Sequence, residues 1–430
     1  MNKNVEIGLI GMGVVGGGVA RVIHEKAAQL ENLVGGPVLL KKILVKDRSK
    51  DRSFRVPQNS FVDNVGQIVD DPDIDIVVEL VGGDAPAFNF IMAAINKGKH
   101  VVTANKEVIA KHGTDIFNAA REKGVRVLFE GSVGGGIPVI SPLMRDLVVN
   151  DIRCITAIIN GTTNYILTKM ATEHADYQTA LQDAMNLGYA ESDPTNDVEG
   201  IDSAYKLAIL STLSFRTQVR DKDVYREGIT RLSAKDFRYA NELGYEIKLL
   251  AISTRLGDSV QARVHPSLIN KDRMLAKVNG VSNAIEVETD LTDRVMFHGP
   301  GAGSKPTASA VVADLVNIGR NVVNNVRFLD PLNISNNFNM ININELKSKY
   351  YLRLEAEDRP GVLAQIGTVL ADQKISISSF IQKGSDQVSG TAELIIMTHF
   401  AKEEKLQQAV SNISALGSIE NVGNVIRVMD

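Results

Sequence analysis

Cysteine is nearly absent from this sequence, and tryptophan is absent altogether. The 430 residues include one cysteine, Cys154, which excludes an intrachain disulfide framework. The seven histidines are scattered, without an HExxH motif or a closely spaced pair, so the sequence does not favour a zinc site. We therefore expect no transition metal.

Long apolar runs and blocks of basic charge are also missing. No apolar run reaches the roughly 18 residues needed to span a membrane, and no charged-then-apolar leader is visible. The 47 basic and 51 acidic residues leave a net charge of −4, without a basic block that could follow nucleic-acid phosphates. We expect a cytoplasmic protein of two to three domains that binds small molecules rather than nucleic acid or a membrane.

A glycine-rich turn follows the first apolar run. The segment VEIGLIGMGVVGGGVARVIHEK predicts strand, turn and helix with the spacing GxGxxG. In a dinucleotide-binding turn, Gly11 permits the tight turn, Gly13 the approach of a pyrophosphate, and Gly16 close packing of the helix on its strand. The alternative is an ordinary glycine-rich turn. The residues that we expect to bind the cofactor here are Gly11, Met12, Gly13, Val14, Val15 and Gly16.

Strand and helix patterns alternate through residues 1–150, which predicts a doubly wound parallel sheet of the Rossmann type. After the second strand, the segment KDRSK offers Lys46 and Arg48 beside Asp47. An acid at this place binds a ribose hydroxyl, whereas a basic residue accommodates a 2′-phosphate. We expect NADP or NAD as cofactor, with Lys46, Arg48 and the following Lys50 favouring NADP.

Two later segments of this domain are candidate ligand loops. TANK follows the fourth strand, where ligands bind on such sheets, so Thr103 and Lys106 are candidates for the cofactor cleft. A cation at a helix start opposes the helix dipole, although a solvated lysine is the alternative. EGSVGGGIPVI combines Glu130 with many main-chain oxygens, which suits either a monovalent cation or a plain hinge.

An acidic loop leads into an apolar helix that carries one lysine. In GYAESDPTNDVEGIDSAYKLAIL, Asp202 and Lys206 are four residues apart and share a helix face. The alternative is a surface ion pair, which contributes only about 0.3–0.5 kcal/mol. Further upstream, NGTTN places Thr163 in a polar cluster that can cap a helix or bind a ligand.

These motifs resemble one family. The spacing of Ala184, Gly188, Tyr189, Ala190, Asp193, Pro194, Asp197, Gly200, Asp202 and Lys206 is similar to the signature of homoserine dehydrogenases. GLIGMGVVGGGV, TANK, EGSVGGGIPVI, NGTTNYIL and GPGAGSKPTASAVV resemble the same family in the same order, up to about residue 325. The resemblance implies reversible NAD(P)H-dependent reduction of aspartate 4-semialdehyde to homoserine, a step towards threonine and methionine.

The resemblance also implies roles and domains. Lys206 would be the proton donor and Lys106 a second cation, although the sequence leaves open which of them donates the proton. The implied substrate ligands are Glu191, Asp202 and Thr163; Gly188 and Gly303 would line the cofactor cleft, and the implied sodium site is Glu130, Val133, Gly135 and Ile137. Residues 151–304 would form an α+β substrate and dimerisation domain, and residues 305–325 would pack back on the nucleotide domain. The protein would be a homodimer or homotetramer.

The last part of the chain changes character. Clustered asparagines in residues 326–348 predict a linker. Residues 349–430 read strand, helix, strand, strand, helix, strand and resemble a ferredoxin-like ACT domain, with DRPGVL at its first turn. We expect an amino-acid effector to bind at Asp358, Arg359, Gly361 and Val362. Because the implied pathway leads to threonine, we expect this effector to be threonine. A purely structural dimerisation domain is the alternative.

Two other functions compete with this interpretation. Another amino-acid or aldehyde dehydrogenase would keep the glycine turn and lose the combination of Glu191, Asp202 and Lys206. A dinucleotide-sensing regulator would need neither two lysines nor two carboxylates, and no DNA-binding helical module or basic face is visible.

Overall fold

The computed structural model describes residues 3–52, 54–326, 334, 338–386 and 390–429. The chain divides into two compact units, each built from separate stretches of sequence. Unit 1 comprises Met1–Ile155, Tyr205–Val224 and Ser282–Phe338, and unit 2 comprises Thr156–Ala204, Tyr225–Val281 and Asn339–Asp430.

Strands and helices alternate along the N-terminal part of unit 1. They are β1 (Val5–Ile10), α1 (Val14–Glu25), α2 (Ala27–Val34), β2 (Val38–Leu44), β3 (Phe61–Val62), α3 (Gly66–Val69), β4 (Ile74–Glu79), α4 (Ala85–Asn96), β5 (His100–Thr103), α5 (Lys106–Lys123) and β6 (Val127–Leu128). The six strands are parallel in the order β3-β2-β1-β4-β5-β6. This is the doubly wound order of a Rossmann sheet, so the predicted fold class is confirmed.

Burial explains why these strands read as continuous apolar runs. Ile76, Val77 and Val78 in β4 are all fully buried, as expected for a central parallel strand covered on both faces. Because parallel strands end at one edge of the sheet, the turns after β1, β4 and β5 lie at the same edge. That edge carries the glycine turn and the TANK segment.

The middle of the chain contributes to both units. Its elements are β7 (Ile152–Ile158), α6 (Gly161–Glu173), α7 (Tyr177–Asn186), α8 (Thr195–Val198), α9 (Ile201–Phe215), β8 (Tyr225–Arg226), α10 (Ala234–Glu242), β9 (Tyr245–Leu256), β10 (Ser259–Asn270), β11 (Ser282–Thr289), β12 (Arg294–Pro300) and α11 (Ser304–Val323). Strands β9 and β10 form a long antiparallel hairpin in unit 2. Helix α11 packs in unit 1, where Val311 and Leu315 share a core with Val5 and Val19.

The C-terminal part shows the predicted strand and helix order. Its elements are β13 (Asn339–Met340), β14 (Lys347–Glu357), α12 (Val362–Asp372), β15 (Ile377–Asp386), β16 (Thr391–Thr398), β17 (Ala401–Lys402), α13 (Glu403–Ser414) and β18 (Ile419–Met429). Strands β18, β14, β16 and β15 lie side by side, with antiparallel neighbours. Of the predicted linker at 326–348, residues 327–333 and 335–337 lie outside the described residues, and the described part contains β13 and the first two residues of β14.

Unit 2 joins this C-terminal sheet to the β9–β10 hairpin. Strand β18 pairs in parallel with β10, so that Ser267 faces Arg427 and Leu268 faces Val428. One sheet therefore runs from β9 through β10 and β18 to β15. Among the residues that the structure describes, no helix has the length and apolar character needed to cross a membrane.

Candidate active site

The glycine turn after β1 has the geometry that its three glycines require. Gly11 has φ +94°, and a Cβ there would lie 2.7 Å from the Leu80 carbonyl oxygen. A Cβ on Gly16 would lie 2.1 Å from the Gly11 carbonyl oxygen, so only glycine permits this close packing. A Cβ on Gly13 would meet nothing within 4 Å. The turn is therefore tight on its inner side and open at Gly13, where α1 begins.

The other residues of this turn differ in exposure. Met12 is buried in the core, Val15 is half-buried, and Val14 is exposed. Across the turn, the Ser304 hydroxyl donates a 2.8 Å hydrogen bond to the Val14 carbonyl. Gly303, with φ +120°, immediately precedes this serine at the start of α11. Helix α11 thus fixes the far side of the glycine turn.

In the loop after β2, the carboxylate of Asp47 accepts hydrogen bonds from a neighbouring residue. One oxygen of Asp47 accepts hydrogen bonds from the Ser49 amide at 2.8 Å and from the Ser49 hydroxyl at 2.7 Å. These hydrogen bonds lower the pKa of Asp47. Arg48 pairs with Asp63 at 2.7 Å on the surface, and Lys46 is exposed.

A buried carboxylate that the sequence analysis missed joins the ends of β4 and β5. Glu79 accepts hydrogen bonds from the Val81 amide and from the Thr103 hydroxyl, both at 2.7 Å. Its pKa is raised, mainly because burial disfavours the charged form. The sequence feature that could have revealed Glu79 is its place as an acid at the end of the apolar strand IDIVVE.

Asn105 extends this connection to α5. Its amide N–H donates to the Thr103 hydroxyl oxygen at 3.0 Å, and its side-chain nitrogen donates to the Gly83 carbonyl at 2.7 Å. The side-chain oxygen accepts from the Val108 amide, which caps α5. Lys106 is the first residue of that helix. The start of α5 is therefore held by the loops after both β4 and β5.

Lys206 lies on α9, and within unit 1 this helix packs against α5. The Lys111 ammonium lies 5.7 Å from the centre of the Tyr205 ring, and Ile109 and Leu213 line a common small cavity. Lys206 is 8% exposed. A lysine this deeply buried is rare unless it is paired or functional, so the surface ion-pair alternative does not fit.

Within unit 2, one asparagine gathers the acids of the loop before α9. The Asn160 side-chain nitrogen donates to Asp197 at 2.7 Å and to Asp202 at 2.9 Å. Asp202 is 6% exposed. The sequence predicts Asn160 only as part of the polar cluster at the start of α6, because its acidic partners lie far along the chain and no local pattern predicts the pairing.

The other predicted substrate residues in unit 2 lie in different environments. Asn160 also caps α6, since its side-chain oxygen accepts from the Thr163 amide at 2.8 Å. The buried Thr163 hydroxyl lies 3.0 Å from the same oxygen, so its contacts match those of the capping alternative. Glu191 is exposed between α7 and α8, and Gly188 has φ +73° with open space around it.

Glu130 acts as a hydrogen-bond acceptor for the following segment. Oε1 accepts from the amides of Val139 and Ile140, at 2.7 and 2.9 Å, and Oε2 accepts from the Ser141 amide at 2.8 Å. The Glu130 amide donates to Asp314, whose burial raises its pKa well above the usual value. Within the described ranges, no group of three His, Cys, Asp or Glu side chains is arranged to hold a metal ion.

Three residues around Glu130 were expected to offer main-chain oxygens. Val133 and Ile137 are buried, and Gly135 has φ +56°. A Cβ on Gly135 would lie 2.5 Å from the Gly301 carbonyl oxygen. The segment is therefore closely packed rather than an open hinge.

The turn between β14 and α12 contains the residues expected to bind an effector. The Asp358 carboxylate accepts from the Gln382 side chain at 3.1 Å, and Arg359 pairs with Glu357. Gly361 immediately precedes α12 with φ +93°, and Val362, the first residue of the helix, is buried.

Comparisons with known proteins agree over the whole chain. Residues 138–316 match the model of the homoserine dehydrogenase family, residues 11–130 match its NAD-binding domain, and residues 350–418 match the ACT domain. The homoserine dehydrogenase of Neisseria gonorrhoeae is 41% identical over 99% of both chains.

Solved structures give the same result. The crystal structure of a homoserine dehydrogenase from Thiobacillus denitrificans is similar to this chain with a TM-score of 0.94 and 42% identity, covering 100% of this chain and 99% of that one. A hyperthermophilic archaeal homoserine dehydrogenase in complex with NADPH matches with a TM-score of 0.62 and 27% identity, covering 77% of this chain and all of that one. This chain therefore belongs to the homoserine dehydrogenase family, and it is an oxidoreductase that acts on a CH–OH group and carries an NAD(P)-binding domain.

Proposed function

We propose that this protein catalyses the reversible reduction of L-aspartate 4-semialdehyde to L-homoserine, in the route to threonine and methionine. The observation that carries the proposal is the pair of buried charged residues on α9, Asp202 and Lys206, on a helix that packs against α5 behind Lys106. Family membership supplies the reaction class. The bound nicotinamide supplies or accepts the hydride.

The chain's own residues handle the charge that develops on the substrate oxygen. Reduction of an aldehyde leaves an alkoxide, which needs a positioned cation and a proton. Lys206 is proposed as the proton donor, because its burial places the ammonium where water screens charge weakly. Asp202, one helical turn earlier, favours the ammonium form. Lys106 is proposed to polarise the same oxygen from the start of α5.

The polar groups of unit 2 are proposed to bind the amino-acid end of the substrate. Glu191 has an exposed carboxylate that suits an ammonium group. Asp202 is held by Asn160, which in turn is held by the Thr163 hydroxyl. Asn160 and Thr163 would therefore orient Asp202 towards the substrate hydroxyl.

We propose NADP as the preferred cofactor, with NAD as the alternative. The glycine turn would hold the pyrophosphate, since Gly13 is open and precedes α1. Thr103, Gly188 and Gly303 are further residues that we propose to bind the cofactor. The carboxylate of Asp47, which would otherwise select a ribose hydroxyl, is engaged by Ser49, and the archaeal relative was solved with NADPH.

A sodium ion is proposed at Glu130. Oε2 accepts one amide hydrogen bond where Oε1 accepts two, so Oε2 retains acceptor capacity for a cation. Main-chain oxygens of Val133, Gly135 and Ile137 would complete the site. If so, replacing sodium chloride by choline chloride should lower activity at constant ionic strength.

Threonine feedback through the ACT domain is the regulatory part of the proposal. Gly361 at the start of α12 leaves backbone N–H groups available for an effector carboxylate. Asp358 and Arg359 flank that position, and Val362 supports it from below. We further propose a homodimer or homotetramer, which light scattering after gel filtration would establish.

The first experiment is homoserine-dependent reduction of NADP and NAD, followed by absorbance, in wild type and in Lys206→Met and Lys106→Met. Loss of a proton donor used only in the transition state lowers kcat, typically by about 10²–10⁴-fold, with little change in cofactor affinity. Lys123→Met is the control, since Lys123 is exposed at the far end of α5.

Two results would contradict the proposal. Wild-type protein that binds the dinucleotide and does not oxidise homoserine would favour a different amino-acid or aldehyde substrate. Equal losses of cofactor affinity and kcat in Lys206→Met would remove Lys206 from the role of proton donor.

A further inference from the structure

A cavity of about 850 Å³ lies inside unit 2, away from the DRPG turn. Its walls come from the loop before α9, the segment 225–232, strand β18 and helix α13. Pockets for small ligands have volumes of roughly 300–1,000 Å³, so this cavity could hold an amino acid with its water. The residues of the DRPG turn do not line it.

One side of the cavity is a preformed charged network. Arg427, 4% exposed, donates to Glu403 at 2.6 and 2.8 Å and to Glu227 at 3.0 Å from each of two nitrogens. The Tyr225 hydroxyl also donates to Glu227, and burial raises the pKa of Tyr225 to about 12. These contacts hold Glu227 and Glu403 in fixed positions without leaving them free to bind a ligand.

The groups that remain for a ligand have both signs of charge. Arg226 and Arg231 line the cavity, and among the described residues neither guanidinium has a carboxylate partner. Glu199 also lines it, and its carboxylate accepts a long 3.3 Å hydrogen bond from Thr230. Guanidinium groups bind carboxylates strongly, whereas a carboxylate attracts an ammonium group. This combination matches a small zwitterion.

The wall of the cavity is connected to Asp202. The Ile229 amide donates to the Val198 carbonyl at 2.9 Å, and a Cβ on Gly228 would lie 2.5 Å from that carbonyl oxygen. Val198 ends α8, which also contains Asp197, and Asn160 joins Asp197 to Asp202. A shift of the segment 225–232 would therefore move the group that holds Asp202.

We propose that this cavity binds a free α-amino acid, with Arg226 and Arg231 on its carboxylate and Glu199 on its ammonium group, and that occupancy changes the KM for homoserine. The proposed amino-acid binding depends only on the cavity, whereas the proposed effect on the KM rests on the proposed dehydrogenase function.

The test uses the full-length protein. Each of the twenty protein amino acids and homoserine is screened by thermal shift, and those that stabilise the protein are titrated by calorimetry into wild type and the double variant Arg226→Ala/Arg231→Ala. Because the double variant loses both charged hydrogen-bond donors to the carboxylate, it should bind the amino acid about tenfold or more weakly. Arg153→Ala, an exposed arginine on β7, is the matched control, and Arg359→Ala reports on the DRPG turn.

Two results support the proposal. The first is weaker amino-acid binding in Arg226→Ala/Arg231→Ala together with normal binding in Arg153→Ala and in Arg359→Ala. The second is a change in the KM for homoserine that this amino acid causes in wild type and does not cause in Arg226→Ala/Arg231→Ala. Absence of any amino-acid binding overturns it, and so does binding that is lost only in Arg359→Ala. If wild type does not oxidise homoserine, the proposed reaction fails while calorimetry still tests the cavity.

Discussion

The Thr103 hydroxyl donates a 2.7 Å hydrogen bond to the Glu79 carboxylate, and this contact ties the ends of two neighbouring strands together. Glu79 is completely buried. Through Thr103 and Asn105, it controls the loops after β4 and β5 and the first turn of α5. The position of Lys106 therefore depends on an acid 27 residues earlier, which has no part of its own in the proposed chemistry.

Glu79→Gln should reduce catalysis without unfolding the protein. Glutamine keeps the size of the side chain, but its NH₂ group cannot accept the hydrogen bond that each glutamate oxygen now receives. A misplacement of about 1 Å at a reacting group costs up to roughly 10²-fold in rate, so we expect kcat to fall about ten- to hundredfold. Steady-state kinetics with both substrates and a thermal melt would measure this. Glu122→Gln, at an exposed position near the end of α5, is the control, and an unchanged kcat in Glu79→Gln would contradict the positioning role.

Gly13→Ala should weaken cofactor binding and leave the melting temperature unchanged. The added methyl group meets no protein atom within 4 Å, and the φ of −81° suits alanine, but the methyl would occupy the side open to the pyrophosphate. Gly16→Ala is the contrasting variant, because its methyl would lie 2.1 Å from a carbonyl oxygen and should destabilise the domain. Fluorescence titration with NADPH would distinguish them. Normal NADPH affinity in a folded Gly13→Ala protein would place the pyrophosphate elsewhere.

Lys248 should make stability depend on pH in the alkaline range. Its buried ammonium donates to the Val278 carbonyl at 2.8 Å and to Asn279 at 2.7 Å, and burial lowers its pKa from 10.5 to about 8. Below pH 8 the lysine is protonated in both the folded and unfolded states, and the folded state is destabilised by the full cost of burying the ammonium group. Between pH 8 and 10.5 the unfolded state binds more protons, so stability rises with pH, by up to about 3 kcal/mol in total.

Lys248→Met removes this contribution. The difference between the unfolding free energies of wild type and Lys248→Met, measured in urea across this pH range, should therefore shift in favour of wild type as the pH rises. A constant difference would show that Lys248 titrates normally in the folded protein.

Arg353→Met should destabilise unit 2 through Asp236. The Asp236 carboxylate is completely buried and accepts from Arg353 at 2.7 Å and from the Asn424 side chain at 2.6 Å. Removing one partner of a buried ion pair leaves an uncompensated charge and costs about 3–5 kcal/mol. Lys235→Met removes an exposed pair with Glu393 and should cost at most about 1 kcal/mol.

The double variant Asp236→Asn/Arg353→Met completes a thermodynamic cycle for this pair. Because it removes both charges, it should be more stable than Arg353→Met alone. Urea unfolding of all four proteins would measure the coupling, and a coupling near zero would show that Asp236 is stabilised by Ser233 and Asn424 without the arginine.

Local patterns in the sequence predicted much of the fold. The alternation of apolar strands with amphipathic helices predicted the Rossmann sheet, and the C-terminal order of strands and helices was correct. The glycine spacing predicted a tight turn at Gly11, which has a positive φ in the structure, and close packing at Gly16. Asn160 as a helix cap was also predictable, because the preference for asparagine at such positions depends only on neighbouring amides. The roles of Lys206, Lys106 and Glu191 remain predictions.

The sequence by itself determined the order of the elements and the turns between them, because backbone geometry and hydrophobic periodicity act over a few residues. Only the tertiary structure decided that Glu79 holds Thr103, that Asn160 holds Asp202, and that β18 and the segment 225–232 enclose one cavity. These partners are 24, 42 and roughly 200 residues apart. Such contacts form only when packing brings distant segments together, and a buried polar group must then find a partner among whatever lies beside it.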